Sequence, residues 1–174
     1  MPTQATRPPT TVDPTGEFPF DLTTYLFHVF AMLGRHREAE LDEAFRPLGL
    51  NVARHRALAV VVRMQPCSMG ELASFCAVDR TTMTRTVDQL FAQGLVERTT
   101  PPTDRRQVLL TVTAAGRALH QRALQGVYRV NRRALEGIPE ETQRIVVRAK
   151  QAMLANLVAD PELTRRLLNL SRDD

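Results

Sequence analysis

The chain has 174 residues, which is enough for one compact domain, or for a small domain with helices attached to it. Its 23 basic and 19 acidic residues leave a net charge of +4, and 43% of its residues are hydrophobic. No apolar stretch approaches the roughly 20 residues of a membrane span, and the first residues lack the apolar segment of a secretory signal. The sequence therefore predicts a cytoplasmic protein with a buried core.

Residues 1–17 are rich in proline and threonine and have almost no large apolar side chain, which predicts a disordered arm. A long helix then begins after Asp21, a suitable N-cap, and ends at Pro47 and Gly49. Its first half is apolar nearly all round, so we expect a partner to cover it. A second helix is predicted from Asn51 to about Met64.

Two short helices follow. Ser68 and Glu71 have the spacing of a capping box, which opens a helix to about Cys76. Asp79 is the predicted N-cap of the next helix, and Gly94 ends it. Two helices joined by so short a turn predict a helix-turn-helix.

The second of these helices has two distinct faces. Its spacing places Met83, Val87 and Leu90 on a buried face and polar side chains on the other. Arginine and threonine near the start of such a helix can donate hydrogen bonds to phosphates and base edges in a major groove. The residues predicted to contact DNA from this helix are Arg80, Thr81, Thr82 and Arg85. The alternative is an ordinary solvated amphipathic helix.

A basic hairpin is predicted next, from two strands at about residues 95–100 and 108–113 with a proline-rich turn between them. Arg105 and Arg106 lie at its tip, where they would suit a narrow minor groove. Asp104 could hold the Arg106 guanidinium by a charged hydrogen bond; the alternative is a surface ion pair of little value. A helix-turn-helix followed by a basic hairpin predicts a winged helix.

The remaining chain is predicted to be helical. A long helix begins after Thr113 and extends to about Glu136, and a second runs over residues 140–159. A short helix is predicted over residues 162–170. The fold class is thus mostly α with a small β-hairpin wing.

Positive charge is concentrated in the predicted winged helix. Residues 51–117 hold nine arginines and five acidic residues, and the flanking segments sum to zero. Arginine suits bidentate contacts with phosphates and base edges. Since Lys150 is the only lysine, composition alone leaves open whether this is a DNA-binding surface or an ordinary arginine-rich one.

The chain resembles the MarR family of bacterial transcription regulators. The segment from Asp104-Arg105-Arg106 to Thr113-Ala114-Ala115-Gly116 is similar to the wing motif of that family, Asp-x-Arg, a strand, then Thr-x-x-Gly. The helix-turn-helix before it matches in order and spacing. The sequence differs at Pro101-Pro102-Thr103, where the family often has an acidic residue followed by proline.

The resemblance implies a homodimer in which residues 18–50 and 114–174 form the dimer interface and residues 51–113 form the DNA-binding lobe. Two such lobes would bind double-stranded DNA at a pseudo-palindromic operator, most often as a repressor that a small effector, such as an aromatic acid, releases. An acidic effector needs cations or donors among apolar walls. The side chains we predict for it are His28, Arg35, His36 and His55.

Two other classes of function are alternatives to a transcription regulator. Enzymatic function is not expected, because neither a phosphate-binding glycine motif nor a Gly-x-Ser-x-Gly motif occurs. A helical module that keeps a winged helix for protein contacts is the other alternative.

The two cysteines, Cys67 and Cys76, do not form a Cys-x-x-Cys pair, and the histidines have no zinc-site spacing. We therefore expect neither a metal nor a cofactor. Buried, unreactive thiols are the favoured interpretation, and a redox-sensing regulator using Cys67 or Cys76 is the alternative.

Overall fold

The computed structural model describes residues 25–101, 107–158, 160 and 164–165. The chain divides into two compact units between Glu40 and Leu41. Helix α1 (Leu26–Phe45) crosses this division. The predicted N-cap Asp21 and the predicted arm lie outside the described residues.

The part of α1 in the first unit carries a sequence of aromatic contacts. The ring of Phe27 meets those of Tyr25 and Phe30 edge-on, at centroid distances of 6.1 and 6.5 Å. The large apolar side chains of α1 that are exposed in the single chain are Leu26, Phe27, Val29, Met32 and Leu33. The apolar surface predicted for this helix is therefore present and uncovered in the single chain.

The second unit begins with the end of α1 and a short 3-10 turn, Arg46–Leu48, which closes at Gly49 with a φ of 68°. Helix α2 (Val52–Met64) follows, and the Asn51 side chain caps it by accepting a hydrogen bond from the Arg54 N–H at 2.9 Å. Both ends of α2 agree with the prediction.

The winged helix contains strand β1 (Cys67–Ser68), helices α3 (Met69–Cys76) and α4 (Arg80–Ala92), and strands β2 (Val96–Thr99) and β3 (Leu109–Val112). The three strands form an antiparallel sheet in the order β1-β3-β2. The sequence predicted the β2–β3 hairpin but missed β1, in which Cys67 pairs with Leu110 and Ser68 with Leu109.

Ser68 is also the N-cap of α3 and forms the predicted capping box with Glu71. Its Oγ accepts a hydrogen bond from the Glu71 N–H at 3.2 Å, and Glu71 Oε2 accepts from the Ser68 N–H at 2.9 Å. Because a reciprocal cap satisfies donors at the start of the helix, it fixes the boundary between β1 and α3. The turn to α4 passes through Ala77, which has a φ of 53°.

One apolar core joins the elements of the winged helix. Leu58 and Val61 of α2, Leu72 of α3, Leu90 of α4 and Leu110 of β3 belong to it and have no exposed surface. Together these side chains hold α4 against α2, α3 and the sheet, and removing one large side chain from such a core typically costs about 2 to 5 kcal/mol.

The C-terminal helices are α5 (Ala114–Ala134) and α6 (Glu140–Leu157). A second core joins the end of α1 to α5 through Leu41, Phe45, Leu50, Ala123 and Val130. The predicted ends at Glu136 and Ala159 were each two residues too far. Most of the predicted helix at 162–170 lies outside the described residues, where only residues 164–165 are assigned as helical.

Candidate nucleic-acid interface

Helix α4 presents one polar face to solvent because its other face is fixed in the core. Met83, Val87 and Leu90 are buried, as predicted, and Thr81 and Arg85 are exposed. Thr86 is also buried, and its hydroxyl donates to the Thr82 carbonyl at 3.0 Å. The orientation of the helix about its axis is therefore set by its buried face.

The start of α4 is fixed by its N-cap. Asp79 accepts hydrogen bonds from the Thr82 N–H at 2.9 Å and from the Thr82 hydroxyl at 2.6 Å. These bonds stabilise the ionised carboxylate and hold the pKa of Asp79 below its ordinary value. In this arrangement the Thr82 hydroxyl proton is already donated within the protein, so Thr82 can meet a nucleic acid only as an acceptor.

The other three predicted contact residues on α4 remain available. Arg80, Thr81 and Arg85 are all exposed. No ion pair within the described part of the chain involves Arg80 or Arg85. Two exposed guanidinium groups and one hydroxyl on the first two turns of a helix form a surface suited to phosphates and base edges.

An ion pair across two elements connects α4 to the wing. The Arg98 guanidinium on β2 donates a hydrogen bond to the Asp88 carboxylate and lies 5.1 Å from the centroid of the Phe91 ring. Arg98 is thus engaged within the protein, although the sequence analysis counted it among the charges of the candidate surface. The pair holds β2 against the exposed side of α4.

The Thr-x-x-Gly sequence joins the end of the wing to α4. The Thr113 hydroxyl donates to the Gly94 carbonyl at 2.7 Å and accepts from the Gly116 N–H at 2.9 Å. The Thr113 N–H donates to the Leu95 carbonyl at 3.1 Å. One threonine therefore caps α5 and ties it to the turn that follows α4.

The predicted wing-tip residues Asp104, Arg105 and Arg106 lie outside the described residues. The strands that lead to them are in place, with Thr99 of β2 paired with Leu109 of β3. The proposed roles of these three residues remain predictions from the sequence.

The four predicted effector residues lie on two helices. His28, Arg35 and His36 are on α1 in the first unit, where His28 is half-buried and the other two are exposed. His55 is on α2 in the second unit, and its ring stacks on His120 of α5 at a centroid distance of 5.4 Å. This contact could not be predicted, because the two histidines are far apart along the chain.

A cavity of about 710 Å³ lies at the corner between α5 and α6. Its lining combines arginines on one stripe of α5 with polar and apolar neighbours: Arg129, Arg132, Arg133, Leu135, Glu136 and Gln143. Three guanidinium groups against one carboxylate favour an anionic ligand. This cavity was not predicted, although the helical spacing of Arg129, Arg132 and Arg133 is visible in the sequence.

Both thiols are buried, as expected. Burial, assisted by the Glu71 carboxylate and by Cys76, raises the pKa of Cys67 from 9.0 to about 11. Burial likewise raises the pKa of Cys76, and the nearby Arg56 guanidinium partly opposes it. Because the thiolate is the reactive form, both environments disfavour oxidation.

We therefore expect the folded protein to tolerate mild peroxide. At neutral pH the thiolate fraction of Cys67 should be about 100-fold below that of a thiol with a pKa of 9.0. DNA binding should be equal before and after treatment, in the wild type and in a Cys67→Ser, Cys76→Ser variant alike. Loss of binding in the wild type alone would establish a redox sensor instead.

The described residues contain no group of three His, Cys, Asp or Glu side chains that could hold a metal ion. None of the helices among them combines the length and apolar character needed to cross a membrane.

Comparisons with known proteins point to one family. The sequence profile described as "MarR family" matches residues 48–107. The multiple antibiotic resistance protein MarR of Escherichia coli is 30% identical over 94 residues, which cover 54% of this chain and 65% of that protein. The match thus spans slightly less than two thirds of that relative's length.

A second relative is the HTH-type transcriptional repressor NicR of Pseudomonas putida, 28% identical over 61% of this chain and 67% of that protein. Among solved structures, a MarR-family transcriptional regulator from Silicibacter pomeroyi superimposes with a TM-score of 0.73 at 28% identity, covering 80% of this chain and 94% of that one. The three-stranded sheet, the capped helix-turn-helix and these matches agree, and the chain is similar to the MarR family of winged-helix transcription regulators.

Proposed function

We propose that the protein is a dimeric, sequence-specific DNA-binding transcription regulator that represses from a pseudo-palindromic operator. The observation that carries this proposal is the first half of α4. There, exposed Arg80, Thr81 and Arg85 extend from a helix whose opposite face is locked in the core. In a winged helix this is the part of the recognition helix that enters the major groove.

The wing supplies the second contact. Strands β2 and β3 lead to Arg105 and Arg106, and the Asp88–Arg98 pair holds the base of the wing beside α4. Two arginines at such a tip suit the negative potential of a narrow minor groove. A regulator of this kind acts where the bacterial chromosome lies, in the cytoplasm.

Dimerisation is supported by apolar surface that the single chain leaves uncovered. Helix α6 has no fully buried residue, and its large exposed apolar side chains are Ile145, Val146, Val147, Leu154 and Leu157. Helix α1 has a comparable set. Exposed apolar surface on this scale marks an interface in a protein that stays in solution, and a second copy of the chain would cover it.

We also propose that the protein represses transcription and that a small effector releases it from DNA. One relative, NicR, carries the name of a repressor. We consider two candidate sites for an acidic effector: the predicted α1 side chains His28, Arg35 and His36, and the cationic cavity of α5 and α6. The cavity brings three guanidinium groups together, and the α1 set contains one, Arg35, to which a carboxylate could bind.

The two effector sites can be distinguished by mutation. If a panel of benzoate and hydroxybenzoates releases the protein from DNA, the site that binds them should determine the required concentration. We expect one of two double variants to need about 10-fold more effector, because it loses charge-assisted hydrogen bonds. This variant is Arg35→Ala, His36→Ala if the effector binds at α1, and Arg129→Ala, Arg132→Ala if it binds in the cavity. Equal response in both variants and the wild type would exclude both sites.

The proposed function is tested by binding to DNA from the region beside the protein's own gene, against unrelated DNA of equal length at the same stated salt. Selective, tight binding at two chains per site is expected. Equal, weak and salt-sensitive binding to the two DNAs would contradict sequence-specific binding at this DNA region and favour the helical interaction module. Capture of the bound sites across the genome would then decide between these two functions.

A further inference from the structure

Two histidines inside the second unit join α2, which packs against the winged helix, to α5. The ring of His55 on α2 lies nearly parallel to that of His120 on α5, with a 19° angle between the planes and 5.4 Å between the centroids. The His55 ring also packs against the ring of Phe45 at the end of α1, with 4.5 Å between the ring centroids. The Phe45 side chain is completely buried. Three helices thus meet at one aromatic cluster.

The surroundings of His120 accept a neutral imidazole and disfavour a cation. Its Nδ1 is buried and accepts or donates no hydrogen bond within the described part of the chain. Protonation would place an N–H on that atom with no acceptor, which leaves a buried donor unsatisfied. Histidine is the side chain that normally changes charge at mildly acidic pH.

The charged and titratable groups acting on His120 add to this effect. Arg117 lies one turn earlier on the same helix, α2 contributes His55, and the residue from α1 is the uncharged Phe45. Burial, and secondarily the Arg117 charge, hold the pKa of His120 below its ordinary value of 6.5. Neutral His120 is therefore the form that fits the folded protein at pH 7.

The direction of the pH dependence follows from this lowered pKa. Below about pH 6.5 the unfolded chain takes up the proton more readily than the folded one, so folding stability falls as the pH falls. The fall ends once the pH is below the folded pKa. We therefore expect acid to weaken the contact between α2 and α5, where His120 stacks on His55.

We propose that the His55–His120 stack is a proton-sensitive joint through which mild acidification loosens the winged helix from α5 and lowers affinity for operator DNA. Helix α2 is packed into the winged-helix core through Ala57, Leu58 and Val61. This inference rests on the proposed function, in which α5 belongs to the dimer scaffold that spaces two winged helices. A loosened joint would no longer hold that spacing.

The DNA arm of the test compares affinity at pH 7.5 and 5.5 in three proteins. These are the wild type, His120→Gln, which cannot take up the proton, and, as the control, Gln121→Ala, a change at an exposed neighbour on α5 that leaves His120 in place. The wild type and Gln121→Ala should lose up to about 10-fold in affinity at pH 5.5, because pH 5.5 lies one pH unit below the ordinary histidine pKa of 6.5 and one unit allows at most that change. The His120→Gln variant should lose little. Protonation of surface histidines adds positive charge and would strengthen phosphate contacts, so a loss on acidification has the opposite sign from that general effect.

The second arm needs neither DNA nor a variant. An NMR titration of the wild type should show the His120 imidazole titrating below pH 6.5, and urea unfolding at fixed protein concentration should show stability falling over the same range. If the protein fails to bind DNA but these two results hold, the proposed function is wrong and the joint stands. A His120 that titrates at 6.5 or above, or equal pH dependence of DNA affinity in the wild type and His120→Gln, would overturn the joint.

Discussion

Replacing Arg85 with alanine is expected to weaken binding to a specific DNA site by about 30-fold or more. A base or phosphate contact of this kind contributes about 1 to 3 kcal/mol, and a dimer would lose it at both half-sites. Arg85 is exposed on the second turn of α4 and has no ion pair among the described residues, so its removal should not disturb the fold. Titration of labelled operator DNA, at several salt concentrations, measures the effect.

The salt dependence tells which contact is lost. Removing a phosphate contact should weaken binding to every sequence and lower the salt slope by about one, whereas removing a base contact should relax specificity at one position. Arg106→Ala provides the same test for the wing. The matched control is Arg144→Ala on α6, whose guanidinium pairs with Glu140 and Glu141 away from the winged helix. If Arg85→Ala and Arg106→Ala both bind as tightly as the control, the assigned DNA surface is wrong.

The second large effect is expected from Gly116→Ala. A Cβ atom at Gly116 would lie 2.0 Å from the Leu95 carbonyl oxygen and 2.9 Å from a methyl group of Val112. Because the first of these is backbone, the chain between α4 and the wing would have to move. Overpacking of this severity should lower the free energy of unfolding by about 3 kcal/mol or more.

The measurement is urea unfolding at fixed protein concentration, since a dimer's stability depends on concentration. Gly70→Ala is the matched control, because the nearest atom to its Cβ would be Ser68 Oγ at 4.0 Å. This variant should unfold at the wild-type urea concentration or slightly above it. A Gly116→Ala protein that is as stable as Gly70→Ala would show that the Thr113–Gly116 connection does not constrain the wing.

The local features of the fold were predictable from the sequence. The caps at Ser68, Asp79 and Thr113 each depend on residues within four positions, and each forms in the structure. The buried face of α4 follows from helical spacing alone, since Met83, Val87 and Leu90 recur at intervals of three and four residues. These signals located helix α4 and the hairpin.

Features that need a distant partner were missed. Strand β1 is two residues long and exists only because Leu109 and Leu110 pair with it, and so short a strand has no periodicity to detect. The ion pair between Arg98 and Asp88 and the ring contact between His55 and His120 each join residues on different elements. The bond from the Thr82 hydroxyl to Asp79 is local, but the sequence also allowed this hydroxyl to donate to DNA, and only the geometry decides between the two.

The central claim is that two winged helices of one dimer read one operator. Footprinting of the protein on its selected DNA, strand by strand, tests it most directly. The account predicts two protected half-sites whose centres are about one helical turn, roughly 34 to 36 Å, or a multiple of it, apart, with both lost together in Arg85→Ala. Protection of a single half-site, or protection that is the same on unrelated DNA, would contradict it.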